Sequence, residues 1–199
     1  MKRFAEVKKK RGGAAETGPG KSGFTIIELL ITLVVLTALA GIAIPTFSVW
    51  LPDYRLKSAA LGIHSDLQAT KMKAVRANRM YGVEFDPANL VYRVVDCGPD
   101  GSCASTADNV VEKTVSLLDY DETGGIEFGK GNAGSPMGAS FGVDYVTYTS
   151  PDNTATFNPH GISNTGYVYL ENDRGTAYAL GTWTSGLIVM RKWEDSEWK

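Results

Sequence analysis

A single carboxylate, Glu28, stands inside an otherwise uncharged apolar run, FTIIELLITLVVLTALAGIAI, from Phe24 to Ile44. A charge in such a run is a functional signal, because a carboxylate in hydrocarbon costs about 3 kcal/mol on insertion scales and needs a partner. Farther on, Cys97 and Cys103 bracket Gly98-Pro99-Asp100-Gly101-Ser102, a turn-forming pentapeptide suited to a small disulfide loop. Two free thiols or a metal half-site are the other readings, and no second Cys or His cluster lies nearby to complete a metal site. The acids Asp119, Asp121, Glu122 and Asp152 lack EF-hand spacing and read as solvated loop carboxylates. Gly129-Lys130-Gly131-Asn132 lacks the strand–loop–helix setting and the Lys-Ser/Thr ending of a phosphate cradle. His64 has no His or Cys partner and reads as a surface histidine, while His160 follows a proline in a turn; neither sits in a nucleophile motif. The expectation is a protein that is no enzyme, with no cofactor and no metal.

Charge is divided unevenly along the chain. The first 23 residues hold seven bases against two acids, net +5, which leaves residues 24–199 with thirteen bases against twenty acids, net −7. An acidic body argues against a general nucleic-acid binder, which normally shows a basic footprint. The basic leader on the N-terminal side of a 21-residue apolar segment of about 31 Å as a helix fits a bilayer span, with the leader cytoplasmic and the body exported. Three fates compete for this segment: a secretory signal cut after Ala38-Leu39-Ala40, a plain membrane anchor, or a cut at Gly23-Phe24 that retains the apolar run.

Beyond Pro45, residues Leu56, Ala60, Ile63, Leu67, Thr70 and Ala74 recur at spacings of four and three, one face of an amphipathic helix ending near Asn78–Met80. With the apolar run this makes a helix of more than fifty residues with bends at proline. The period then changes to two. Val83, Phe85, Leu90, Tyr92 and Val94 flank Asp86-Pro87-Ala88-Asn89 as a hairpin. Further strands are expected over 110–118, 126–128, 143–149, 155–157, 166–171, 177–183 and 187–193, separated by Gly-, Pro- and Asn-rich turns, with 129–138 as a mobile loop. A helix followed only by strands implies an α+β domain, the helix packed on an antiparallel sheet. Trp183, Trp193 and Trp198 are candidates for a partner surface, Trp183 equally for the core.

Lys21-Ser22-Gly23-Phe24-Thr25-Ile26-Ile27-Glu28-Leu29-Leu30 closely resembles the prepilin signature of type IV pilins and type II secretion pseudopilins. The resemblance implies that a prepilin peptidase cuts after Gly23 and N-methylates Phe24, and it extends to Pro45, the family's helix-bending proline. It divides the chain into a cleaved leader (1–23), a transmembrane and assembly helix (24–44), an amphipathic helix entering the domain (45–80) and a periplasmic β-rich domain (81–199). Ala74, Arg76, Asn78 and Val83, the Phe157-to-Gly161 turn and the last hairpin are similar to the minor pseudopilin H group (GspH/FimT-type). Members proposed to bind DNA carry a basic Gly-Arg-x-Arg motif in that hairpin, where this chain reads Gly186-Leu187-Ile188-Val189 with acids Glu194, Asp195 and Glu197 following, which argues against nucleic acid.

Glu28 has a physical reason to agree. Cleavage at Gly23 creates an ammonium at Phe24, one turn from Glu28, so the carboxylate has a counterion in its own subunit or in a neighbour offset along a filament, and assembly sets its register there. The resemblance thus implies an inner-membrane, single-pass minor pseudopilin of a type II secretion system, near the tip of a periplasmic pseudopilus, with a minor pilin of a type IV pilus as the alternative. Its implied partners are other pilin-like subunits, the prepilin peptidase, an inner-membrane platform with its cytoplasmic ATPase, and secreted proteins. The rival from another class is a soluble binding module released after Ala40.

Overall fold

The computed structural model describes residues 23–105 and 107–199. The basic leader and its charge run lie outside these residues. The chain divides into two compact units, one up to Ile44 and one from Pro45 to Lys199, and each is described by itself. The helix α1, Ile26–Ala77, supplies residues to both.

In the first unit Glu28 is the one charged residue of α1, and the rest is mainly apolar. From Ile26 to Ile44 its mean hydropathy is 2.5 and none of it is buried against the chain. The hydroxyls in this stretch are satisfied internally: Thr32 Oγ1 donates to Leu29 O and Thr37 Oγ1 to Val34 O, both at 2.9 Å. That arrangement suits hydrocarbon, where water cannot serve as partner.

In the second unit α1 is two-faced, as the spacing requires. Leu56, Ala60, Ile63, Leu67, Thr70 and Ala74 are all fully buried, and each large aliphatic among them contributes about 1.5–3 kcal/mol by leaving water. The helix stops at Ala77, just before the expected Asn78–Met80, and the stop is built locally. Asn78 adopts a left-handed φ of 51° and Arg79 N donates back to Ala74 O at 3.2 Å, closing a Schellman-type cap.

Among the described residues nine strands follow: β1 (Tyr81–Asp86), β2 (Val91–Asp96), β3 (Val110–Ser116), β4 (Ile126–Phe128), β5 (Thr154–Phe157), β6 (Gly166–Asn172), β7 (Ala177–Thr182), β8 (Ile188–Glu194) and β9 (Glu197–Trp198). They form two antiparallel sheets, ordered β3-β2-β1-β5 and β4-β6-β7-β8-β9. One core joins them, with Ile63 and Leu67 of α1 among Val83, Phe85 and Tyr92 of the first sheet and Val168, Leu170 and Leu180 of the second. The fold is α+β, a helix packed on antiparallel sheet.

The expected strand at 143–149 forms no strand. Tyr145 takes a left-handed φ of 64°, which breaks the extended path, and only single bridges remain, Val146 to Val168 and Thr149 to Asp152. The short β9 pair at the C-terminus was not expected; two residues carry no period. The segment 129–142, of which 129–138 is expected as a mobile loop, is strapped over the outer face of the second sheet. Met137 N donates to the Tyr169 hydroxyl at 3.0 Å, Trp198 Nε1 to Ser135 O at 2.8 Å, and Phe141 meets Tyr169 edge-on at 5.0 Å. Glycine content signals backbone freedom but says nothing of which aromatic the backbone will lie on.

Candidate functional site

The N-terminal site is built by the start of α1. Gly23, Phe24 and Thr25 are non-helical and exposed, Phe24 at 83 %, with no packing within 4 Å of a Cβ placed on Gly23. Thr25 caps the helix: its Oγ1 accepts from Glu28 N at 3.2 Å, and its carbonyl accepts from Leu29 N at 3.1 Å. Glu28 therefore lies in the first turn, where a carboxylate also meets the positive end of the helix dipole. Gly23 and Phe24 lie in the non-helical residues just ahead of α1, and Glu28 lies in its first turn. Pro45 lies within α1 in the second unit.

The remaining site expectations fall in the globular unit, and the fold does not gather them. Cys97 and Cys103 form a disulfide with Cα atoms 4.5 Å apart. Its ring is organised by Asp96, whose Oδ1 accepts from Gly98 N at 3.1 Å and whose Oδ2 pairs with Arg79 Nη2 at 2.7 Å. Gly98 takes a φ of 71°, with the Asp108 carbonyl 2.9 Å from where a Cβ would stand, so only glycine fits this turn. Among the described residues no cluster of three metal-ligating side chains occurs.

Asp121, expected as a solvated loop carboxylate, is instead buried, with 5 % of its side chain exposed. Its Oδ1 pairs with Arg55 Nη1 of α1 at 2.9 Å and accepts from Thr123 Oγ1 at 2.6 Å. Burial by itself would raise its pKa, but the Thr123 donors and the Arg55 guanidinium outweigh that and hold the carboxyl below the usual Asp range. A second, partly exposed network joins α1 to the first sheet. The Tyr92 hydroxyl donates to Asp66 Oδ2 at 2.7 Å, and Lys113 Nζ reaches both Asp66 oxygens at 2.8 and 2.7 Å. Burial first, and the Asp66 carboxylate second, push the Tyr92 phenol pKa well up, so the hydroxyl stays a donor. These are positioning contacts between elements, with no open position for a reacting atom. His64 is half-buried, His160 lies in an exposed turn, and Trp183 is half exposed.

Absent from the sequence expectations is an aromatic ladder on the exposed side of α1. Phe47 and Trp50 stand 6.4 Å apart, and Trp50 stacks on Tyr54 at 4.9 Å, each more than half exposed. Their spacing of three and four places them on one side of the helix, a period hidden behind the core stripe that dominates the segment.

Residues 19–44 match the family described as the prokaryotic N-terminal methylation motif. No curated protein matches the chain. Among solved structures, the minor pseudopilin EpsH from the Type 2 Secretion System of Vibrio cholerae is similar at 10 % identity and a TM-score of 0.47, covering 72 % of this chain and 99 % of that one. The type IV minor pilin FimU of Pseudomonas aeruginosa PAO1 is similar at 13 % identity and a TM-score of 0.47, covering 74 % and 94 %. Residues 19–44 thus carry a prokaryotic N-terminal methylation motif, and among the described residues one apolar helix, Ile26–Ile44, is long enough to cross a membrane.

Proposed function

We propose that this chain is a structural, non-catalytic subunit of a type II secretion pseudopilus, a minor pseudopilin held in the inner membrane before assembly. One observation carries the reading: a methylation motif with Gly23-Phe24 in non-helical, exposed chain, immediately ahead of an apolar helix whose first turn holds Glu28. In this reading the leader 1–23 is removed and the ammonium freed at Phe24 becomes the counterion of Glu28. The helix from Phe24 to Ile44 anchors the subunit and later packs in the filament, Pro45 serves the helical packing, and the sheet domain lies in the periplasm. Retaining Glu28 suits a subunit that docks below another subunit's N-terminus, near the tip but not necessarily at its summit.

The test is the N-terminus of protein recovered from membranes. Intact mass and Edman sequencing should begin at N-methyl-Phe24; a start at Gly41 would mean a released soluble module. The same motif serves type IV pili, and a deletion strain separates the two roles. Loss of exported enzymes from the medium with normal surface pili supports secretion, whereas the converse assigns the subunit to a pilus.

A further inference from the structure

The side of α1 turned away from the core carries, in the globular unit, a groove of about 380 Å³ lined by Gln68, Lys71, Met72, Val75 and Arg76. Met72 and Val75 are exposed there, and two turns extend the apolar surface. A Cβ on Gly161 would stand 3.6 Å from Val75 Cγ2, and Lys71 Nζ donates to Gly186 O at 2.8 Å. These contacts bring the exposed Ile162 and Leu187 alongside. The charges lining the groove are all positive. Arg76 is exposed and makes no ion pair among the described residues, whereas its neighbours Lys73 and Arg79 pair with Glu112 and Asp96. The larger groove beside Trp50, about 670 Å³, differs in that its carboxylates are engaged, Glu194 by Lys192 and Asp53 by Asn172 and Thr176.

An apolar floor beside a free cation suits a partner that offers an apolar side chain next to free carboxylates. The chain carries such a surface elsewhere. The turn after β3 exposes Leu118 together with Asp119 and Glu122, and Glu127 and Asp173 extend its negative charge. Glu122, Glu127 and Asp173 make no ion pair among the described residues. The turn is held in shape, since Asp119 Oδ2 accepts from Ser116 N at 3.2 Å and Leu118 Cδ2 lies 3.9 Å from a Cβ on Gly124. We propose that Leu118 and the acids of this turn in one copy dock in the Val75 groove of a second copy. This contact gives the subunit reading above a partner surface, and it rests on that reading only for the membrane in which the copies meet.

Other faces of a second copy fit less well. Groove against groove would oppose Arg76 to Arg76, and the C-terminal acids Glu194 and Asp195 are taken by Lys192 and Lys199. Because the two docking surfaces differ, the contact is heterologous and can repeat, as a filament requires. The acidic turn flanks α1 near Arg55 and Gly62, against which Asp121 and Tyr120 are fitted, while the groove centres on Met72. Those levels differ by about fourteen residues of helix, an offset of about 20 Å between successive copies along α1. Exposed ion pairs are individually weak and screened by salt, so confinement of the copies to one membrane supports the contact.

The experiment expresses the full chain with Met72→p-benzoylphenylalanine, irradiates the membrane and soluble fractions, and maps the adducts by mass spectrometry. The expected adduct joins position 72 of one copy to the Leu118–Glu122 turn of another, and its yield falls as salt is raised. Arg76→Glu and Glu122→Lys should each lower the yield about fivefold, the upper end for one exposed ion pair. Combined in one chain they should restore it, because the two charges then face each other with signs exchanged. A structural defect in either variant would not be repaired by the other. The contact is overturned by no adduct between copies, by an adduct to a different surface of the second copy or only to another protein, or by a double variant as poor as the single ones. A chain that starts at Gly41 with the adduct intact overturns the anchor reading and keeps the contact. N-methyl-Phe24 at the start without the adduct overturns the contact alone.

Discussion

At Glu28 two demands compete, insertion and assembly. Removing the carboxylate makes the span about 3 kcal/mol easier to insert, so Glu28→Ala should remain membrane-bound and be cut normally after Gly23. What it should lose is the attraction for the Phe24 ammonium, and with it incorporation into filaments, scored by cross-linking between subunits in membranes. Unimpaired incorporation would remove the register mechanism. Asp121 gives a residue-scale prediction of a different kind. Its carboxyl is held below the ordinary Asp value near 3.9 by Thr123 and Arg55. The stability it contributes is complete above about pH 4 and is lost as pH falls through the lower folded value. Asp121→Asn should therefore lower the melting temperature at pH 7, with the gap to wild type closing as pH falls below the ordinary Asp value. A gap independent of pH would show that packing, not charge, is what Asp121 supplies.

At the scale of elements, α1 needs its sheet and the sheet needs α1. Leu67 is fully buried between them, and Leu67→Ala should destabilise the domain by about 2–5 kcal/mol in denaturant titrations. Gly62 shows how closely the 3₁₀ turn Leu117–Asp119 and the following Tyr120 approach: a Cβ there would lie 3.0 Å from Tyr120 Cζ. Alanine has the higher helix propensity, yet Gly62→Ala should lower stability, because the ring must shift. Pro52 poses the opposite problem. It has no N–H to offer the Ser48 carbonyl four residues back, and Arg174 Nη2 from the β6–β7 turn donates to that oxygen at 3.1 Å. The turn is held to the same stretch through Asp53, so a helix interior proline is tolerated by tertiary help.

For the globular unit as a whole, the Cys97–Cys103 ring closes seven residues, and loop-entropy arithmetic assigns it about 2 kcal/mol at most. Replacing both cysteines by serine should lower stability by up to that amount without altering processing or membrane insertion, measured by thermal unfolding and flotation together. A larger loss would mean that the ring also supports the Asp96 contacts with Arg79 and Gly98. How much of this was legible in the chain depends on the range of the interaction. Glu28 in its apolar run, the core stripe from Leu56 to Ala74, the hairpin around Pro87 and the turn between the cysteines follow from period and local chemistry, since each is decided by residues a few positions apart. The burial of Asp121 beside Arg55, the strapping of 129–142 over Tyr169, the broken strand at Tyr145 and the groove beside Trp50 were decided only by tertiary structure. Each depends on partners tens of positions away, and neither hydropathy nor spacing encodes which distant surface a segment will meet.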